Sequence, residues 1–157
     1  MRSPMPRIAA TLLCLLTLAL SSTARAQSGT VSCDLVQGDL AISSISDTEI
    51  DGTLSGDVEG SLVITVDHVA IFPTPFGPVK YIAGHGTLTT ADGTLATHDR
   101  IVIFPYQGHH YWLGRHLLNN GTGVYADHFG RLRSHGEVNA DHTADLHYRG
   151  AICTATP

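Results

Sequence analysis

The chain is 157 residues long, enough for one domain, and its formal net charge is −5 with the ten histidines counted as neutral. Without the first 26 residues, which have the composition of a secretory signal, six basic residues stand against fourteen acidic ones, a net charge of about −8. Nucleic-acid backbones and anionic membrane surfaces need the opposite balance, so neither is an expected partner.

Residues 1–26 predict a signal peptide that is removed from the mature protein. They combine a basic start, an apolar run over residues 8–20 and a small-x-small cleavage site at residues 24–26. The apolar run is too short to span a bilayer, so we expect no stable membrane insertion. The mature chain, residues 27–157, is therefore expected to be one exported domain, either periplasmic or extracellular.

Two cysteines remain in the mature chain, Cys33 near its start and Cys153 near its end. In an oxidising compartment, two thiols without CxxC spacing most simply form one structural disulfide. Closing a loop of roughly 120 residues would stabilise the fold by about 4–5 kcal/mol through loop-closure entropy. We therefore predict a Cys33–Cys153 disulfide that joins the first strand to the last.

The mature chain predicts strands throughout. No stretch sustains an apolar period of 3.6, and all 16 glycines follow residue 28, where they interrupt helices and separate strands. Leu62, Ile64 and Val66 alternate with other residues, a pattern typical of a strand with one buried face. The expected strands lie near residues 30–36, 38–45, 48–55, 58–71, 80–90, 94–104 and 110–118, with a final hairpin over 130–153.

Three segments predict how these strands are connected. Residues 91–93, Ala-Asp-Gly, separate two threonine-containing runs and predict a hairpin in which Gly93 adopts a positive φ. Residues 119–123, Asn-Asn-Gly-Thr-Gly, predict a second turn, and the three prolines within residues 72–78 predict a loop. Many short strands with regular turns indicate an all-β fold. We predict a single closed or nearly closed antiparallel β-barrel of about eight strands over residues 27–157.

Four segments, at residues 56–60, 86–93, 120–132 and 148–153, follow one another in an order that resembles the allene oxide cyclase-like barrel superfamily. This superfamily includes the plant dirigent proteins and small exported bacterial relatives. The third segment is similar to its Gly-Thr-Gly-aromatic turn, although residues 127–129, Asp-His-Phe, replace the usual small residues. The resemblance implies a barrel that binds an apolar or phenolic small molecule inside. It implies an isomerase or cyclase, or a non-catalytic carrier, and it identifies no catalytic position.

Aromatic residues on several predicted strands are the candidate ligand contacts, because aromatic side chains are frequent in small-molecule pockets. These candidates are Tyr81, Tyr111, Trp112, Phe129 and Tyr148. Core or rim positions for the same side chains remain the alternative interpretation.

Five polar residues near the C-terminus form a candidate acid–base set. His135 and Glu137 share one strand face, and so do Asp145, His147 and Arg149. On adjacent antiparallel strands all five would lie within cross-strand reach, and a histidine beside a carboxylate is a plausible proton-transfer pair. The same alternation also fits a solvated outer face, so both interpretations stay open.

Nine of the ten histidines lie between residues 85 and 147. Neither an HxH nor an HExxH pattern occurs, and the adjacent pair His109-His110 would point to opposite faces of a strand. We therefore expect no metal site and no cofactor, with a His-ligated metal protein as an alternative. A secreted structural or interaction module is a further alternative, and the sequence leaves a homo-oligomer open.

Overall fold

The computed structural model describes residues 30–156 as eight antiparallel strands in sequence order. The predicted signal peptide, residues 1–26, lies outside the described residues. The strands are β1 (Thr30–Ile45), β2 (Glu49–Gly56), β3 (Gly60–Phe72), β4 (Val79–Thr90), β5 (Gly93–Tyr106), β6 (His109–Asn119), β7 (His128–Val138) and β8 (Ala144–Thr156). Each strand pairs with the next, and β8 pairs with β1, so the sheet closes into a barrel and confirms the predicted fold class.

The barrel closes along β1 and β8, whose register runs from Thr30 opposite Thr156 to Ile42 opposite Ala144. Cys33 and Cys153 are direct partners in this register and form the predicted disulfide. The disulfide is therefore confirmed, and it joins the two strands that are farthest apart in the sequence.

The predicted connections hold, but one predicted strand boundary is wrong. β3 ends at Phe72 before the proline-containing loop, and Gly93 begins β5 with a φ of +153°. The expected break between residues 36 and 38 does not occur, because β1 continues through Gly38 while pairing with both β2 and β8. A Cβ at Gly38 would lie 2.7 Å from the Tyr148 hydroxyl and closer still to a carbonyl oxygen of β2, so this glycine permits a close approach of strands.

Alternate side chains of each strand point inward and form the core, as the alternation of Leu62 and Ile64 predicted. The two largest of the fully buried side chains are Trp112 and Tyr148. Further core side chains are Leu40, Ile42, Ile50, Leu54, Ile82, Leu88, Leu95, Ile101, Leu118, Leu132, Leu146 and Ile152. Between residues 30 and 156 no helix is long and apolar enough to cross a membrane.

Charge is divided unevenly around the barrel. Residues 30–79 contain eight of the fourteen acidic residues and neither lysine nor arginine. All six lysine and arginine residues between residues 30 and 156 lie on β4 to β8. Within residues 30–156, lysine and arginine are therefore confined to one side of the barrel, while acidic residues outnumber them.

Candidate functional site

The interior of the barrel has no room for a ligand. The void between its core side chains measures about 10 Å³, a volume for about one water molecule. Trp112 and Tyr148 belong to this packed core, and the Tyr148 hydroxyl accepts a hydrogen bond from the Val58 N–H (2.9 Å) and donates one to the Val58 carbonyl (3.1 Å). Burial raises the pKa of the Tyr148 phenol. A small molecule of the size implied by the resemblance cannot lie there.

The structure does not bring the five candidate ligand residues together. Trp112 and Tyr148 point inward, whereas Tyr81 and Tyr111 are half-buried on the outer wall. Phe129 is also on the outer wall, 41% exposed, beside the disulfide, because it pairs with Cys153. The inward and outward side chains cannot share one site, and of the five only Phe129 lines the outer cavity of about 980 Å³.

The five candidate acid–base residues lie together, but on the exposed outer face. His135 is the direct partner of His147, with 6.0 Å between the ring centroids, and Glu137 is the direct partner of Asp145. His147 Nδ1 lies 2.5 Å from a carboxylate oxygen of Asp39 on β1, and Glu137 pairs with His109 on β6. Arg149 follows on β8, so the five residues form a solvated polar group whose two His–carboxylate contacts go to residues outside the set.

A buried polar network inside the barrel was not predicted from the sequence. His116 Nδ1 lies 2.6 Å from Asp99 Oδ1, and His116 Nε2 lies 2.8 Å from Ser134 Oγ. The Thr97 hydroxyl donates to Asp99 Oδ2 (2.6 Å), and the Trp112 indole N–H donates to Ser134 Oγ (2.8 Å). The network could have been found from parity, because residues 97 and 99 alternate in phase with the buried leucine and isoleucine at 95 and 101.

The contacts among Ser134, His116 and Asp99 match the Ser–His–Asp arrangement of serine hydrolases. All three side chains are buried in the packed core, so a substrate cannot reach the Ser134 hydroxyl. Gly114 provides the space for this hydroxyl, because a Cβ there would lie 2.7 Å from Trp112 Nε1 and closer still to Ser134 Oγ. The network therefore satisfies buried polar groups and is structural in this conformation.

Four arginines form a straight row across the outer face of β5 to β8. Arg100 pairs with Arg115, Arg115 with Arg133, and Arg133 with Arg149, each as the direct partner on the neighbouring strand. All four side chains are exposed. Among residues 30–156 the ion pairs are made by Lys80 and four histidines, and none involves an arginine. Like charges on directly opposite residues destabilise a sheet, so this arginine row is unfavourable unless an anion occupies it.

A groove of about 980 Å³, open to solvent, runs along one side of the arginine row between β6, β7, β8 and β1. Leu35, Leu117 and Phe129 supply exposed apolar surface, 85%, 39% and 41% exposed respectively. We call it the outer groove; its lining residues are Leu35, Val36, Gln37, Asp57, Arg115, Leu117, Phe129, Gly130, Arg131, Arg133, Arg149, Gly150, Ala151 and Cys153. Exposed apolar patches with charged rims are typical of binding surfaces.

Between residues 30 and 156, no three His, Cys, Asp or Glu side chains are grouped closely enough to hold a metal ion. The histidines that do contact carboxylates form separate pairs on different parts of the barrel. The arginine row with its groove is thus the most distinctive chemical feature of the outer surface. No family model, curated protein or solved structure matches this chain.

Proposed function

We propose that this exported protein binds an apolar or phenolic small molecule that carries an acidic group, and that it binds this molecule in the outer groove. The observation that supports the proposal is the arginine row, which makes no ion pair with any carboxylate among residues 30–156. Three of its members, Arg115, Arg133 and Arg149, line the outer groove together with exposed apolar side chains. The packed interior supports an outer site as well. The disulfide supports an oxidising location.

The charged and the apolar residues of the outer groove would bind different parts of the ligand. A guanidinium group binds a carboxylate or sulfonate through two parallel hydrogen bonds, which fixes the position of the acidic group. Leu117, Phe129 and Leu35 remove the apolar body of the ligand from water, a gain of about 25 cal/mol for each Å² buried. Because the rest of the surface is acidic, the row also attracts anions to one place on the barrel.

Binding without chemical conversion is the function that this geometry supports best. One observation favours the isomerase or cyclase implied by the resemblance as a second candidate. The His147–Asp39 pair, 2.5 Å between nitrogen and oxygen, lies next to Arg149 along β8 and could move a proton on a ligand held by that arginine. The test of this second candidate is racemisation or double-bond migration of a bound acid. The unaltered protein should catalyse this reaction, and His147→Asn should not.

The binding proposal is tested with two fluorescent probes that share an apolar body. Anilinonaphthalene sulfonate carries a permanent negative charge, and its analogue phenylnaphthylamine is neutral. The variant Arg115→Gln/Arg133→Gln removes the two central guanidinium groups of the row. We expect at least about a tenfold loss of affinity for the sulfonate, because charge-assisted hydrogen bonds are lost, and little change for the neutral probe.

The matched control is Lys80→Gln, which removes a positive charge at an ion pair with Asp47 on another part of the barrel. This variant should bind both probes as the unaltered protein does, and circular dichroism should show the same fold for all three proteins. Equal losses for both probes in the arginine variant, or no loss for either, would contradict the proposal.

A further inference from the structure

Resting on the proposed function of the outer groove, we infer that its ligand is a polyacid, with two or more acidic groups in a line that crosses the strands. Neighbouring strands are about 4.8 Å apart, so four arginines on consecutive strands span about 14 Å. One carboxylate accepts hydrogen bonds from one guanidinium, or is shared between two. A single acidic group would therefore leave two or three charges of the row without a partner.

The register shows that the row is continuous. Arg100, Arg115, Arg133 and Arg149 are joined by three direct pairings, without a bulge or an intervening residue. Three of the four arginines line the outer groove, and all four line a second depression of about 500 Å³ on the other side of the row, beside Leu113. The second depression therefore gives a ligand on the row access to all four arginines.

The charges around the row also favour a ligand with several acidic groups. Arg131 lies two residues before Arg133, on the same face of β7, and lines the outer groove with Arg115, Arg133 and Arg149, so four positive charges meet there. Asp57 is the one carboxylate residue among the lining residues of the outer groove, and its Oδ2 already accepts a hydrogen bond from the Gln37 N–H at 2.9 Å. Asp67 lines a third depression, of about 380 Å³, next to Arg100, but it pairs with His85 at 2.9 Å. The positive charge of the row is left for a ligand with several negative charges.

The expected ligand class is therefore a flat or extended molecule with acidic groups about 5 Å apart, or at multiples of that spacing. Carboxylates, sulfonates and phosphates all fit the planar fork of arginine. Lysines would supply charge without this geometry, and the row contains none.

The test uses naphthalene monosulfonate, disulfonate and trisulfonate, which keep one apolar body and add permanent charges. Each compound displaces anilinonaphthalene sulfonate from the full mature protein, and its affinity is read from the loss of fluorescence. We expect affinity to rise about five- to tenfold with the second sulfonate and to rise again with the third. Raising the salt concentration should weaken the trisulfonate most, because it makes the largest number of ionic contacts.

The variant Arg100→Gln/Arg149→Gln removes the two ends of the row and keeps its centre. Its affinity for the monosulfonate should fall by a smaller factor than its affinity for the disulfonate and the trisulfonate, so that the gain from the second and third sulfonates is lost. Arg100→Lys/Arg149→Lys, which keeps the charge, should recover part of that gain.

Equal affinity for the monosulfonate and the disulfonate would overturn the polyacid inference and leave the proposed function intact. The same holds if Arg100→Gln/Arg149→Gln still binds the disulfonate and the trisulfonate more tightly than the monosulfonate by the original factors. Monosulfonate binding that does not depend on Arg115 and Arg133 would instead contradict the proposed function. Inorganic tripolyphosphate, which has no apolar body, should compete at least tenfold less well than the trisulfonate. If it competes equally well, the apolar part of the ligand has no role.

Discussion

Asp99 and His116 are hydrogen-bonded inside the barrel, with 2.6 Å between Oδ1 and Nδ1 and at most 3% of either side chain exposed to solvent. They lie on adjacent strands, and Thr97 and Ser134 occupy their remaining polar atoms. A buried polar group without a partner costs several kcal/mol, so each side chain is tolerated because the other is present.

Replacing one member of this pair should therefore cost more than replacing both. We expect His116→Leu to lower the free energy of unfolding by about 3–5 kcal/mol, because the Asp99 carboxylate loses its partner in the core. Asp99→Leu/His116→Leu should recover part of that loss. Urea unfolding followed by circular dichroism measures both values. A single variant that costs less than the double variant would show that the pair is not coupled.

Gly114 should tolerate no side chain. Its missing Cβ leaves room for the Ser134 hydroxyl and for Trp112 Nε1, which would lie 2.7 Å from an added Cβ. We expect Gly114→Ala to lower the free energy of unfolding by about 1–3 kcal/mol through overpacking, and Ser134→Ala in the same chain to relieve part of the strain. The control is Gly108→Asn, at a position with φ of +85° and no atom within 4 Å of an added Cβ. Asparagine tolerates positive φ, so this control should unfold at nearly the same denaturant concentration.

The disulfide should contribute strongly to stability. Cys33 and Cys153 are 120 positions apart, and a crosslink that closes so long a loop restricts the unfolded chain. We expect Cys33→Ser/Cys153→Ser to lower the free energy of unfolding by about 2–5 kcal/mol. Alkylation and mass spectrometry of the folded, unreduced protein should find neither cysteine modified. Two alkylated cysteines in native material would contradict the disulfide.

Tyr148 should make the fold sensitive to alkaline pH. Burial raises the pKa of its phenol in the folded state, whereas the unfolded phenol ionises near about pH 10. The stability that the protonated Tyr148 phenol contributes is therefore fully present below about pH 10. It is lost as the pH rises through the raised pKa of this phenol in the folded state. Denaturant unfolding at several pH values between 8 and 12 measures this loss.

The variant Tyr148→Phe separates ionisation from packing. It should lower the free energy of unfolding at neutral pH by about 1–3 kcal/mol, because the Val58 N–H loses its acceptor. Its stability should then fall less steeply above pH 10 than that of the unaltered protein. Tyr106 is 56% exposed, and Tyr106→Phe should leave the alkaline loss unchanged.

Local sequence patterns predicted the strands and turns. They did not predict features that depend on which strands pair and in which register. The alternation around Leu62 and Ile64 is enough to identify a strand with an inward face. The break expected between residues 36 and 38 was wrong, because the sequence does not show that the Tyr148 ring and a neighbouring strand approach β1 at Gly38. A glycine that permits close approach and a glycine that ends a strand look the same in sequence.

The arginine row was beyond sequence reasoning for the same reason. Arg100, Arg115, Arg133 and Arg149 are separated by 15, 18 and 16 positions, intervals without a common period. Their alignment depends on the lengths of three connections and on the register of each strand pair. The candidate His135 and His147, by contrast, sit on one hairpin, and their juxtaposition follows from a single turn.

The pairing of β1 with β8 has a consequence for the order of events during synthesis. β1 begins at Thr30, but the strand that covers its free edge starts at Ala144, so no partial chain can complete the ring. Until that last segment emerges, the growing protein is an open sheet with two bare edges, which another chain could join. Such late, non-local pairing slows folding. The chain therefore remains an open sheet until its final residues are released. A deletion confined to β8 would leave every earlier strand present and the ring unclosed.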